Sequence, residues 1–163
     1  MSRALMDLLL FEVDNKQFAI DLNLVEEVVT AGDVTPVPQS PLFFLGLAAV
    51  NGRIMGVIHA AIRYGFPKGF SNFFMICKVR GNSTAIAIDR PLNASKFEVC
   101  ELPETEKFDL LKKNNINEKF VKNAFELFKE DEDGAISPMN QKILLIEPDI
   151  FVSAEMASRI GEV

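Results

Sequence analysis

Histidine is nearly missing from this chain of 163 residues. His59 is the only one, so neither a two-histidine metal site nor a helical H-E-x-x-H arrangement can be built. As a general base His59 would need a nucleophile beside it, but there is no G-x-S-x-G and neither cysteine is near it in sequence. It reads as a strand histidine satisfied by a neighbour. Cysteine is scarce too: Cys77 and Cys100 read as small buried hydrophobes, and a reducing cytoplasm is the compartment that suits them. Glycines occur without a G-x-x-x-x-G-K-[ST] or G-x-G-x-x-G pattern, so the backbone cradle for nucleotide phosphates is missing. No cofactor and no metal is expected. Positive charge is in deficit, with 17 Lys and Arg against 23 Asp and Glu and a net charge of −6. Binding to phosphates requires a basic face, which excludes nucleic acid as a partner class. Long apolar runs are also lacking. The N-terminal MSRALMDLLLFEVD is broken by Asp7 and is too short for a secretory core or a membrane span, so no direct membrane insertion is expected.

What is present is the material of one packed domain, expected to span residues 1–163. The length suits a single folding unit with a substantial core, and 48% hydrophobic with 25% charged residues is ordinary for a globular chain. Phe43-Phe44 and Phe73-Phe74 are adjacent pairs with little basic interleaving, which reads as core rather than as a base-stacking surface. No internal repeat or low-complexity tract is visible.

Local signals point to many short strands. Leu8–Val13 and Phe18–Ile20 flank the turn-forming Asp14-Asn15-Lys16-Gln17 and predict a hairpin. Asp21 stands where a carboxylate caps a short helical turn, and reads as a cap rather than a catalytic acid. Pro36, Pro38 and Pro41 each remove a backbone donor, so their segment must be loop or sheet edge. Asn51-Gly52 between Ala48-Ala49-Val50 and Ile54-Met55 is a strong type I′ hairpin signal. Gly65-Phe66-Pro67-Lys68-Gly69 marks a break, read as a boundary between lobes. Phe73–Val79 and Thr84–Ile88 predict a second hairpin buried on both faces, ended by Asp89, Pro91 and Asn93.

The later part is more ambiguous. Glu104–Lys113 and Glu118–Phe128 both carry helical spacing, although Phe125, Leu127 and Lys129 also alternate as a strand would. The acidic run Lys129–Gly134 lacks the ligand spacing of a calcium loop and reads as a solvated hairpin turn. Ile143–Ile146 predicts a strand, and Ser153 an N-cap opening a final helix. A carboxylate pair converging in space, as in a small β-rich hydrolase, is not forbidden by the sequence.

Phe18-Ala19-Ile20-Asp21, Val25, Glu27, Val34, Pro41, Phe43, Gly46 and Gly52 stand in an order that resembles the first-lobe pattern of the CheW-like family. Phe73–Val79 and Ala85–Asp89 are similar to its second-lobe hairpin, and Ile143–Met156 to its closing strand and helix. For Ala124 onward the resemblance favours a strand after a turn. It implies a mainly β fold of two small five-stranded SH3-like β-barrel lobes sharing a hydrophobic core, with a C-terminal helix. It also implies an adaptor without an active site, cytoplasmic and gathered at receptor arrays. Its partners would be the regulatory domain of a CheA-type histidine kinase and the cytoplasmic tip of chemoreceptors. The matching contact positions are Val25, Glu27, Gly46, Asn51 and Gly52, of which Val25, Gly46 and Gly52 read equally well as packing and turn residues.

Two departures stand out. The family usually has Asn-Leu-Arg-Gly where this chain has Ala49-Val50-Asn51-Gly52, and an aspartate where it has His59. Asn51 suits the turn but offers no planar cationic fork. Arg53 is the candidate replacement cation. The departures favour a divergent member, such as the PilI-like adaptors of type IV pilus systems, or one that has lost receptor coupling.

Overall fold

The computed structural model describes residues 3–67, 71–130 and 132–151. The helix expected from Ser153 lies outside the described residues. The chain opens with a hairpin of β1 (Arg3–Val13) and β2 (Lys16–Asp21). Asp14 and Asn15 at its turn both have positive φ, 52° and 61°, as a type I′ turn requires. The Asp21 carboxylate then accepts from the Asn23 N–H at 2.9 Å and caps a single 3-10 turn, Leu22–Leu24.

That turn carries the chain into a second sheet. β3 (Val25–Thr30), β4 (Phe44–Val50), β5 (Arg53–His59), β6 (Phe73–Val79) and β7 (Asn82–Ile88) pair in the order β3-β6-β7-β5-β4, with the short helix α1 (Ala60–Tyr64) after β5. The chain then returns to the first sheet through one residue, Asp89. β8 (Arg90–Glu101), α2 (Glu104–Asn114), a 3-10 turn at Glu118–Phe120, β9 (Asn123–Glu130) and β10 (Ile136–Ile146) follow. These strands close a barrel, β1-β2-β10-β9-β8, and a 3-10 turn at Pro148–Phe151 ends the described chain.

The lobes therefore divide differently from the sequence reading. Phe18–Asp21 belongs to the barrel, whereas Val25–Gly52 and the Phe73–Ile88 hairpin share the second sheet. The glycine- and proline-rich segment at residues 65–69 is not a lobe boundary, because the elements on either side of it, α1 and β6, both belong to the second lobe. Glycine and proline interrupt an element's backbone and carry no information about which sheet the next element joins. The second hairpin ends at Asp89 as expected, but Pro91 and Asn93 fall inside the next strand, β8. Pro91 faces Phe11 of β1 beside a register irregularity, and no strand pairs with β8 on its other side there, the edge position in which a sheet tolerates proline.

The two sheets follow one plan. Each has a hairpin, β1–β2 or β6–β7, whose second strand pairs in parallel with the last strand of another hairpin, β10 of the later β9–β10 or β5 of the earlier β4–β5. No sequence repeat accompanies this, since it is kept by strand order and alternation alone. Burial explains the continuous apolar runs. In β1, Leu8 and Leu10 fill the barrel while Leu9 and Phe11 face a core common to both lobes. In β6 and β7, Ile76 and Ala85 fill the second lobe, while Met75 and Ile86 face that same common core.

Two aspartates bind the lobes reciprocally. Asp89, at the junction, accepts from the Asp14 N–H of the barrel's hairpin turn at 2.8 Å. Asp149, after the barrel's last strand, accepts from the Arg80 N–H of the β6–β7 turn at 2.6 Å. Between them Arg63 of α1 donates to the Phe151 carbonyl at 2.6 Å and stacks over Phe43 and Phe120, 4.2 and 4.8 Å from the ring centroids. Asp89→Ala should lower unfolding free energy by about 1–3 kcal/mol in urea denaturation, since a charge-assisted bond to a partly buried N–H is lost. Asp149→Ala, at an exposed turn, should cost less. Equal effects would mean that burial does not grade the two locks.

Candidate functional site

The exposed end of the second lobe gathers most of the polar residues singled out in the sequence. β3 pairs with β6 through a bulge, with Val25 opposite Cys77 and Glu27 opposite Ile76. In a regular strand Glu26 and Glu27 would point to opposite faces. The bulge lets both reach the β4–β5 hairpin. Asn51 donates its amide to Glu27 Oε1 at 2.6 Å. Arg53 donates to Glu26 Oε2 at 2.9 Å, and Ser83 at the start of β7 donates to Glu26 Oε1 at 2.8 Å. The hydrogen bonds from Arg53 and then Ser83 hold the Glu26 carboxyl below its ordinary range. Asn51 and Gly52 have φ of 49° and 79°, the two left-handed residues of a type I′ turn.

Val25, Glu27, Asn51, Gly52 and Arg53 thus lie together at this end. Val25 is half-buried and packs against the common core. Gly46 does not join them. It is buried within β4 where the Thr35 backbone crosses, its φ is 140°, and an added Cβ would lie 2.0 Å from the Thr35 carbonyl oxygen. On the other face of β5 from Arg53, Ile54 is 75% exposed opposite the exposed Ala49, and Leu24 next to Val25 is also exposed.

Other candidate chemistry is occupied by structural roles. His59 is buried, its Nδ1 accepts from the Ile62 N–H at 3.3 Å, and its Nε2 lies 3.0 Å from Ser71 Oγ. It caps α1 as a side-chain acceptor at an N-cap does. Burial pushes the Cys77 thiol up to about 12, so it is not a ready nucleophile. Among the described residues no group of three His, Cys, Asp or Glu could hold a metal, and no helix is long and apolar enough to cross a membrane. At the far end of the barrel a groove of about 600 Å³ is lined by Leu5, Phe97 and Phe128, with Glu98 and Glu130 beside Lys96 and Lys129. Neither glutamate is buried.

The family description "CheW-like domain" matches residues 7–139, a span that runs from β1 into β10. The chain belongs to the CheW-like family. Among curated proteins it is 28% identical over 127 residues to the chemotaxis protein CheW of Thermotoga maritima, covering 77% of this chain and 78% of that one. Among solved structures it resembles the scaffolding protein TtCheW from Thermoanaerobacter tengcongensis, with a TM-score of 0.69 at 18% identity over 94% of this chain and 96% of the other. At that identity the second likeness speaks to the fold.

Within this CheW-like chain the geometry clarifies both departures from the usual pattern. His59 does the capping work for which an aspartate is suited. Arg53, the candidate replacement cation, is engaged with Glu26 and lies 3.3 Å from Ser83 Oγ, while Asn51 alone serves Glu27. Glu26 and Ser83 were not legible as site residues. The adjacent glutamates were visible, but only the bulge turns both toward the hairpin.

Proposed function

We propose that this chain is a non-enzymatic adaptor that couples chemoreceptors to a CheA-type histidine kinase. The polar tip carries the reading: five side chains from β3, β5, β7 and the β4–β5 turn, joined across strands on a scaffold of two lobes with one common core. A tip fixed in this way is suited to hold two partners in a set geometry. The named relatives, a chemotaxis protein and a scaffolding protein, support the same reading. On this view Val25, Glu27, Asn51, Gly52 and Arg53 contact the kinase's regulatory domain or the receptor's cytoplasmic tip, and Gly46 keeps β4 in place beneath them. The chain works as a single unit in the cytoplasm at receptor arrays. Asn51 and His59, in place of the usual arginine and aspartate, favour a divergent member serving a pilus system over a flagellar one.

A pull-down from native cytoplasm tests this. Recovery of a CheA-type kinase together with receptor fragments is the expected result, and their repeated absence would sink the adaptor reading.

A further inference from the structure

β5 ends, away from the tip, in the buried His59, which pairs with Ala87 of β7 and is followed at once by α1. The Ile62 N–H donates to His59 Nδ1 at 3.3 Å, which fixes the tautomer. The single proton of the neutral ring is then on Nε2, 3.0 Å from Ser71 Oγ. One nitrogen accepts and the other donates, and only the neutral imidazole can do both. An imidazolium would turn an N–H toward the Ile62 N–H, in a residue only 1% exposed, where water has little access to replace the lost bond. The joint between the lobes depends on that bond. α1 is a single turn of five residues, so the cap is a large part of its backbone bonding. On it sit Tyr64, stacked on Phe18 of the barrel, and Arg63, which donates to the Phe151 carbonyl.

We propose that His59 is an acid-sensitive catch for the joint between the lobes: neutral, it caps α1 and holds Tyr64 and Arg63 against the barrel, and its protonation releases the cap and weakens the joint. The strands on either side of β5, β4 and β7, carry no ionisable side chain. Arg53 is at the far end of β5, and Glu26, Glu27, Cys77 and Lys78 of β3 and β6 lie toward that same end, Cys77 opposite Thr84 and Lys78 opposite Ser83. On α1 itself, Arg63 turns to Phe43, Phe120 and Phe151. Asp89, just past β7, is bonded to the Asp14 N–H, Asp33 after β3 is exposed, and Lys68 lies outside the described residues. Protonation at Nδ1 breaks the Ile62 bond whichever of these charges is nearest. The folded chain therefore resists a proton that the unfolded chain takes up below about pH 6.5, the ordinary histidine value. Stability is complete above that value and declines as pH falls through it.

Urea unfolding followed by the near-ultraviolet dichroism of Tyr64 tests the inference, because Tyr64 lies on α1 and is the lone tyrosine of a chain without tryptophan. His59→Asn is the reference. Its amide can accept from the Ile62 N–H and donate to Ser71 without titrating, and every carboxylate of the chain is kept. From pH 7.5 to 5.5 the folding constant read at Tyr64 should fall about tenfold more in the wild type than in His59→Asn. A fall of the same size in both chains overturns the inference. Should His59→Asn not fold, nitrogen-15 NMR of the wild-type imidazole decides. The expected result is a proton on Nε2 alone at pH 7.5, kept for as long as the Tyr64 dichroism persists on acidification. A proton on Nδ1 at pH 7.5, or an imidazole that becomes charged while that dichroism is unchanged, overturns the inference.

Discussion

A Gly46→Ala chain will unfold in far less urea than the parent. Two costs coincide at this position. The backbone has φ of 140°, a region closed to residues with a side chain, and the new Cβ would lie 2.0 Å from the Thr35 carbonyl oxygen, 2.7 Å from its carbon and 2.8 Å from Pro36 Cα. All three are backbone atoms, so no side chain can swing aside. The segment they belong to must move, and it is held by reciprocal bonds between Thr35 and Leu47, at 2.8 and 2.9 Å. Those bonds tie the proline-rich loop onto β4. They also link the two edges of the second sheet, because β3 and β4 have no strand-to-strand ladder between them. Strain and a broken closure together should cost about 3 kcal/mol or more, a large share of the roughly 5–15 kcal/mol that holds a domain folded. Gly52→Ala is the control. Its φ is 79°, but nothing lies within 4 Å of the added carbon, so only the left-handed penalty of about 1–2 kcal/mol applies. Equal midpoints for the two variants would show that the crossing at Thr35 is not what requires glycine.

Much of this fold was legible wherever a local rule decides the outcome. Asp14-Asn15 and Asn51-Gly52 turn their hairpins because left-handed φ is cheap for those residues. From Asn123 the structure has a strand, and Phe125 and Leu127 are buried on its inner face as alternation requires, so only Glu118–Phe120 keeps a helical turn from the competing pattern. Residues 132–135, between β9 and β10, are exposed. What could not be read was allegiance between distant segments. Leu144 pairs in parallel with Phe18, and Arg3 lies opposite Cys100, and these partnerships depend on which faces the three cores leave unfilled. The lobe border was misplaced for this reason: the true crossings, at Leu22–Leu24 and Asp89, are short and contain neither glycine nor proline. At the tip, the residue types were visible in sequence, but a one-residue bulge in β3 decides which glutamate meets Arg53 and which meets Asn51.

Raising the pH should unfold this protein cooperatively, and its lone tyrosine should report the event. Tyr64 is buried in the common core, stacked on Phe18 with ring centroids 4.7 Å apart, and its hydroxyl has no hydrogen-bond partner among the described residues. Burial raises it well above the ordinary 10.0 of a phenol, and lifts Cys77 from 9.0 to about 12. In both cases the folded state keeps its proton longer than the unfolded state does. Their contribution to stability is therefore complete below pH 9 and declines as pH climbs toward the folded values, by about 1.4 kcal/mol per pH unit for each group. The two slopes add above pH 10, enough to exhaust a marginal domain within a few units. With one tyrosine and no tryptophan in the chain, phenolate absorbance is an unmixed signal. It should appear in the same transition as the loss of circular dichroism and not before. Tyr64→Phe keeps the ring on Phe18 and removes a hydroxyl that lost its water on folding and gained no partner. That variant should match or exceed the parent's stability by about 1 kcal/mol and move the alkaline midpoint upward. A phenolate signal that rises gradually while the fold persists, or a clear loss of stability in Tyr64→Phe, would mean that the hydroxyl finds a partner inside the core.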